Sequence, residues 1–197
     1  MISNICKIEK GTDDLSAILK ESENVALYNG FTEKQTLQLR LLCEEMDGML
    51  PNIIDDFSGD FWIEYEDGLC KINAAIEILD MTSTKKEDLI NVSKNKKNAA
   101  AVGIMGKIRN AIENFFLNEG EAIGLEQAAG LYYLSTGYGE VIDYSCLWTL
   151  NQYKTTVKET EQEQWDELEK SIIATVADDV IVGVKGRKAN VVIVKKF

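Results

Sequence analysis

The first chemistry that this sequence suggests comes from two adjacent acids, Glu44 and Glu45, inside a segment rich in leucine and methionine. Helical spacing places four residues one turn apart on a single stripe: Leu37, Leu41, Glu44 and Gly48. A buried carboxylate is costly unless it is paired, hydrogen-bonded or bound to a metal. Gly48 has no side chain, so a ligand could approach the helix backbone there. An acid and a glycine on one stripe that faces a sheet predict a ligand pocket.

The same acids also have a purely structural interpretation. A glutamate at the boundary of a buried helix face usually pairs with a nearby lysine or arginine, and Arg40 lies one turn before Glu44. Under this interpretation the carboxylate stabilises the helix and holds no ligand. The residues alone leave both interpretations open.

A cluster of lysines offers a second candidate site. Lys94, Lys96 and Lys97 come just before Asn98, which is predicted to begin a helix. Unpaired backbone N–H groups and the helix dipole favour an anion at a helix N-terminus, so a phosphate could dock there. The alternative is a solvated loop.

The composition excludes several classes of function. Acidic residues outnumber basic ones 33 to 21, and the net charge of −12 argues against nucleic acid and anionic lipid as partners. The chain has no histidine, which excludes Ser-His-Asp, Cys-His and His-ligated zinc sites. The four cysteines form no C-x-x-C pair and predict reduced thiols. Without a bilayer-spanning apolar run or a signal-peptide pattern, we expect a cytoplasmic protein with no membrane partner.

Local signals predict the elements that must position these residues. Thr32 and Gln35 form a capping box that begins a helix, and Pro51 should end it. Asp67-Gly68 favours a type I′ hairpin turn. Strands are expected over residues 61–66, 69–79, 180–184 and 189–194, with a short one at 25–28. Further helices are expected over residues 14–19, 98–115, 121–134, 144–158 and 165–176. The simplest fold is a single α+β domain, with a mainly antiparallel sheet covered by helices on one face.

Stretches at both ends of the chain resemble the histidine-kinase/gyrase-type ATPase domain, known as the Bergerat fold. A helix that carries LRLLCEEMDGM precedes the hairpin FWIEYEDGLCKINAAIEIL. The final stretch, LEKSIIATVADDVIVGVKGRKANVVIVKKF, is similar to the last helix and hairpin of that fold. The anti-sigma-factor kinases are the most similar branch in style, and the chain also resembles a set of Firmicute proteins of this kind. The resemblance implies one ATPase-like domain, with its core at 32–80 and 162–197 and a helical insertion at 81–161.

The resemblance also implies roles for particular residues. In that family a helix supplies an E-x-x-x-N motif, whose glutamate positions a water and whose asparagine holds Mg²⁺. Glu44 or Glu45 would be this water-positioning base, and Asp80 has the place of the aspartate that binds the adenine amino group. The residues that would line the nucleotide site or contact phosphates from a lid are Asp47, Gly48, Asp80, Lys94, Lys96 and Lys97.

The sequence departs from the family pattern at each nucleotide motif. Neither Glu44 nor Glu45 is followed four residues later by the asparagine that holds Mg²⁺, and Asp47 is only a shifted substitute. No glycines follow Asp80 directly. Residues 158–164 are rich in acids where the family has a glycine-rich box, and these acids would repel a triphosphate.

We therefore expect a regulatory protein of bacterial signalling that binds a nucleotide or a protein and does not catalyse a reaction. Its cofactor would be ATP with Mg²⁺ or none, and no residues are assigned as metal ligands. Its partner would be another protein or a second copy in a homodimer. Two alternatives stay open: an active anti-sigma-type serine/threonine kinase or ATPase, and an interaction module that binds no nucleotide.

Overall fold

The computed structural model describes residues 1–11, 15–54, 56–79, 104, 106–109, 112, 145–160, 171–185 and 187–197. In this part of the chain, six strands form one open antiparallel sheet with the order β1-β2-β3-β6-β5-β4. The strands are β1 (Cys6–Glu9), β2 (Phe57–Glu66), β3 (Leu69–Ile78), β4 (Ser145–Thr149), β5 (Asp179–Lys185) and β6 (Lys188–Lys196). The labelled helices are α1 (Leu15–Tyr28), α2 (Glu33–Ile53), α3 (Leu150–Thr160) and α4 (Ile172–Val176). Residues 104, 106–109 and 112 are also helical. The expected α+β class and antiparallel sheet are confirmed.

One face of the sheet carries the hydrophobic core. Phe61, Ala74, Val191 and Val182 lie side by side in register across four strands, and each is fully buried. Buried side chains from all four labelled helices belong to the same cluster. These helices therefore pack against this face of the sheet. No helix in the described ranges is both long enough and apolar enough to cross a membrane.

Two local sequence signals are confirmed. At the start of α2, the Gln35 N–H donates to Thr32 Oγ1 at 3.4 Å, and the Thr32 N–H donates to Gln35 Oε1 at 2.9 Å. This is the predicted capping box. Between β2 and β3, Asp67 and Gly68 have φ values of 49° and 82°. Both angles are positive, as a type I′ turn requires.

The strand expected at residues 25–28 is wrong, because these residues form the end of α1. Val25 and Ala26 share the buried side of α1 with Ile18 and Ser22. Separations of four, seven and eight residues bring side chains to one side of a helix. The helix therefore buries Val25 against the core, which outweighs the β propensity of a short apolar run.

The α2 helix runs beyond its expected end at about Leu50. Pro51 lies inside the last turn, and the helix ends at Ile53. The backbone N–H of Ile54 donates to the Leu50 carbonyl at 3.0 Å, which closes the final turn after the proline. A proline in the last turn removes one helical donor but does not prevent the following residues from continuing the turn.

Part of the expected helical insertion belongs to the sheet. The helix expected over 144–158 begins only at Leu150, because residues 145–149 form β4 and pair with β5. Pairing with β5 supplies backbone partners that the segment lacks on its own. The change to helix follows at once, since Thr149 Oγ1 accepts the Gln152 N–H at 3.2 Å and caps α3.

The C-terminal helix is shorter in the described residues than the expected 165–176. Ser171 is in an extended conformation, and its Oγ accepts the Ala174 N–H at 3.4 Å, so it begins α4 as a cap. The preceding residues 161–170 lie outside the described part of the chain. The strands expected at 180–184 and 189–194 are confirmed as β5 and β6.

Candidate functional site

The stripe that the sequence singles out on α2 faces away from the core. Leu37 is 65% exposed, Leu41 and Glu44 are partly exposed, and Gly48 is exposed. We call these four residues the outward stripe. A Cβ placed on Gly48 would meet no atom within 4 Å, so the helix backbone is open at this point.

The expectation that this stripe faces the sheet is therefore wrong. The opposite side of α2 is the buried one, and it carries Leu39, Leu42, Cys43, Met46, Met49 and Leu50. Both sides have apolar residues at helical spacing, but the buried side contains no charged residue. Turning that side to the core avoids burying the Glu44 carboxylate.

Glu44 forms an ion pair on the surface of the helix pair. Arg40 Nε donates to Glu44 Oε1 at 3.1 Å, and Arg40 Nη1 donates to Glu23 Oε1 on α1 at 3.0 Å. The three side chains are between 37% and 56% exposed, so water screens both ion pairs. This geometry is the one that the structural interpretation of Glu44 predicts. Arg40 also links α1 to α2.

The end of α1 adds apolar surface beside the outward stripe. Leu27 is 79% exposed and Tyr28 is 77% exposed. Because Glu23 contacts Arg40, helix geometry places Leu27, one turn after Glu23, beside Leu37, about one turn before Arg40. Adjacent exposed apolar side chains on two helices mark a candidate interaction surface. Sequence reasoning missed Leu27 because it assigned this residue to a strand.

Of the remaining predicted site residues, two lie in the described part of the chain and four lie outside it. Glu45 and Asp47 are partly exposed on α2. Helix geometry places Glu45 on the flank of the outward stripe opposite to Arg40. Among the residues that the structure describes, no group of three or more His, Cys, Asp or Glu side chains is placed to hold a metal ion. The predicted site residues outside the described ranges are Asp80, Lys94, Lys96 and Lys97.

The end of β3, directly before Asp80, is held by Arg187 from the β5–β6 turn. Arg187 Nη2 donates to the Ile78 carbonyl at 3.0 Å and to the Leu79 carbonyl at 2.7 Å. The Ile78 N–H donates in turn to the Arg187 carbonyl at 2.9 Å. These three hydrogen bonds fasten the chain where it leaves the sheet.

Two core thiols are not placed to act as nucleophiles. Cys43 and Cys70 are fully buried. Burial raises the pKa of Cys43 well above its usual range, and Cys70, Cys6 and Glu44 nearby raise it further. Burial also raises the pKa of Cys70 to about 12. Both thiols therefore stay protonated at neutral pH, and a thiol is a poor nucleophile.

A groove of about 620 Å³ lies near the β1 edge of the sheet. Its charged side chains are Lys7, Glu9, Asp60, Glu77 and Lys188. Lys7 Nζ contacts Asp60 Oδ1 at 2.5 Å, and Glu77 lies opposite Lys188 in the strand register. The groove thus carries charges of both signs next to each other, and it contains none of the residues that the sequence analysis singled out.

Comparisons with known proteins do not assign the chain to a family. No family model matches the sequence, and neither the curated proteins nor the solved structures contain a match to it.

Proposed function

We propose that this chain is a regulatory protein that acts by binding a protein through the outer surface of α2, and not by turning over a nucleotide. The observation that carries the proposal is the outward stripe. Leu37 and Leu41 lie on the solvent side of the helix, and the backbone is open at Gly48. Helix geometry places the exposed Leu27 of α1 next to this stripe. Exposed apolar side chains gathered at one place are typical of protein interaction sites.

The position of Glu44 supports a binding role over the kinase or ATPase alternative. A catalytic base must lie within reach of the water and the nucleotide on which it acts. The Glu44 carboxylate instead lies on the outer side of α2 and contacts Arg40 at 3.1 Å. In our proposal the ATPase-like fold that the resemblance implies serves as a scaffold, in a cytoplasmic protein of bacterial signalling.

Site-specific photo-crosslinking in cells tests the proposal. A photoreactive amino acid would replace Leu37 in one variant and Ile172 in a matched control. Ile172 is also an exposed apolar helical residue, at 41% exposure, but it lies on α4. We expect a protein adduct from position 37 and none from position 172, because only the first lies in the proposed interface.

A second substitution separates specific binding from random contact. Gly48→Leu adds a side chain where the backbone is open, so the fold should tolerate it while a docked chain should not. The adduct from position 37 should therefore fall when Gly48→Leu is present. Equal labelling from positions 37 and 172, or an adduct that Gly48→Leu leaves unchanged, would overturn the proposal.

A further inference from the structure

Building on the proposed function, we infer that the chain that covers the outward stripe is a second copy of this protein. The two copies would be related by a two-fold axis that runs perpendicular to α2, on its outer side and level with residues 42 and 43. Under such an axis the two α2 helices run antiparallel, and residues whose numbers add up to about 85 lie level with each other. The residue numbers therefore show which side chains of the two copies would face each other.

Side-chain size is complementary under this symmetry. Leu37 of one copy lies level with Gly48 of the other, so a large side chain meets a position without one. Leu37 is 65% exposed, and a Cβ on Gly48 would have no neighbour within 4 Å, so both positions are accessible to a second copy. The two Leu41 side chains lie between these contacts, close to the axis. Apolar side chains at this spacing are the usual contact of antiparallel helices.

Charge is complementary as well. Arg40 of one copy lies level with Glu44 of the other, on the same flank of the helix pair. The Arg40–Glu44 pair within each chain would thus become part of a group of four alternating charges. Since Glu23 on α1 contacts Arg40, the axis also passes near Lys20, and it brings Lys20 and Glu23 of opposite copies close together. Lys20 and Glu23 are both exposed.

Self-association must overcome the repulsion between two acidic chains. Each copy has a net charge of −12. At physiological ionic strength, salt screens charges separated by more than about 8 Å, whereas charges in direct contact are screened much less. The alternating charges in the interface therefore offset a repulsion that salt has already weakened.

Sedimentation velocity of the full-length protein between about 1 and 100 μM tests the inference at physiological salt. We expect a species of twice the monomer mass of 22.1 kDa, and its loss in Gly48→Leu. Ile172→Asp, which changes an exposed residue on another helix, should leave the dimer intact. Circular dichroism would verify that each variant is folded.

A pair of charge variants makes the test independent of folding defects. Arg40→Glu leaves only acids at positions 40 and 44, and Glu44→Arg leaves only bases. Each variant alone should be monomeric, because like charges then meet across the two-fold axis. A mixture of the two should recover the dimer mass, since acids of one variant then face bases of the other.

The inference is overturned if the wild-type protein is monomeric at 100 μM, or if the dimer survives both Gly48→Leu and the single charge changes. It is also overturned if the mixture fails to pair while the wild type does. The photo-crosslinked adduct at position 37 distinguishes a failure of the dimer inference from a failure of the proposed function. An adduct of one copy with a different protein rejects the second copy as occupant but keeps α2 as the binding surface, whereas no adduct rejects both.

Discussion

Arg40 and Glu44 lie one turn apart on the outer side of α2, where Arg40 Nε donates to Glu44 Oε1 at 3.1 Å. The carboxylate that could have been a catalytic base is thus one half of a surface ion pair. We predict that, at protein concentrations where the chain is monomeric, Glu44→Ala lowers the free energy of unfolding by less than about 1 kcal/mol, because solvent-exposed ion pairs contribute little. Urea denaturation of the variant and the wild type measures this difference.

The same variant tests the nucleotide alternative. Calorimetric titration with ATP and ADP, with and without Mg²⁺, should give no binding heat that depends on Glu44. Micromolar affinity for ATP that drops in Glu44→Ala would contradict this expectation and would support the kinase or ATPase alternative. Arg40→Ala serves as the matched control, because it breaks the same ion pair and leaves the carboxylate in place.

Substitution by alanine should have opposite effects on stability at two glycines, Gly59 and Gly48. A Cβ on Gly59 would lie 2.3 Å from the Ala75 carbonyl oxygen and 2.8 Å from Ile76 Cα, both backbone atoms, so β2 and β3 would have to move apart. We expect Gly59→Ala to destabilise the fold by about 1–3 kcal/mol, as overpacking does. Unfolding in urea, followed by circular dichroism, measures the effect.

For Gly48→Ala we expect stabilisation of the monomer by about 0.5–1 kcal/mol, because alanine loses less backbone entropy than glycine in a helix. A Cβ at this position has open space around it. The comparison should be made at protein concentrations where the chain is monomeric. If Gly48→Ala were as destabilising as Gly59→Ala, then Gly48 could not lie on the open side of α2.

Asp179 stabilises the fold, and we expect its substitution to lower the free energy of unfolding far more than the substitution of a surface acid does. Its side chain is completely buried, and Oδ1 accepts the N–H groups of Asn151 at 3.1 Å and Val180 at 2.8 Å. Asp179→Ala removes the acceptor of the buried Val180 N–H and of the Asn151 N–H at the start of α3, so we expect the free energy of unfolding to fall by about 2–3 kcal/mol. Asp60→Ala is the control, because it removes only an exposed ion pair with Lys7. Similar denaturation midpoints for the two variants would show that Asp179 does not hold α3 to β5.

The buried thiols should react only after unfolding. Cys43 and Cys70 are fully buried, so a thiol reagent at pH 8 should modify them slowly in native protein and rapidly in urea. The rate of colour formation with an aromatic disulfide measures this, and mass spectrometry of peptides assigns it to each cysteine. Fast modification of Cys43 in the native state would mean that α2 does not pack on the sheet as described.

The raised thiol pKa also makes stability depend on pH. Burial raises the pKa of Cys70 from 9.0 to about 12 on folding, so above pH 9 the unfolded chain releases a proton that the folded chain keeps. The contribution of this thiol is fully present below pH 9 and is lost as the pH rises towards 12. Cys70→Ala should therefore reduce the fall in the free energy of unfolding between pH 8.5 and pH 10.5, as measured in urea at each pH.

Several features follow from local sequence alone, because the interactions that create them lie within a few residues. The Thr32–Gln35 capping box is formed by side chains that reach backbone N–H groups three residues away. The positive φ angles of Asp67 and Gly68 reflect the low cost of that conformation for these two residue types. The β5–β6 hairpin is likewise predictable from two β-branched runs joined by a tight turn.

Other features were decided only by the tertiary structure, because they depend on what each segment packs against. Val25 belongs to a helix since that places it in the core with Ile18, and residues 145–149 form a strand since β5 is there to pair with them. The orientation of α2 is the decisive case. Helical periodicity in the sequence separates the stripe with Glu44 from the stripe with Met46, but both contain leucines. Packing resolved the choice: the stripe without a charge fills the core, and the stripe with Glu44 and Gly48 is left on the surface.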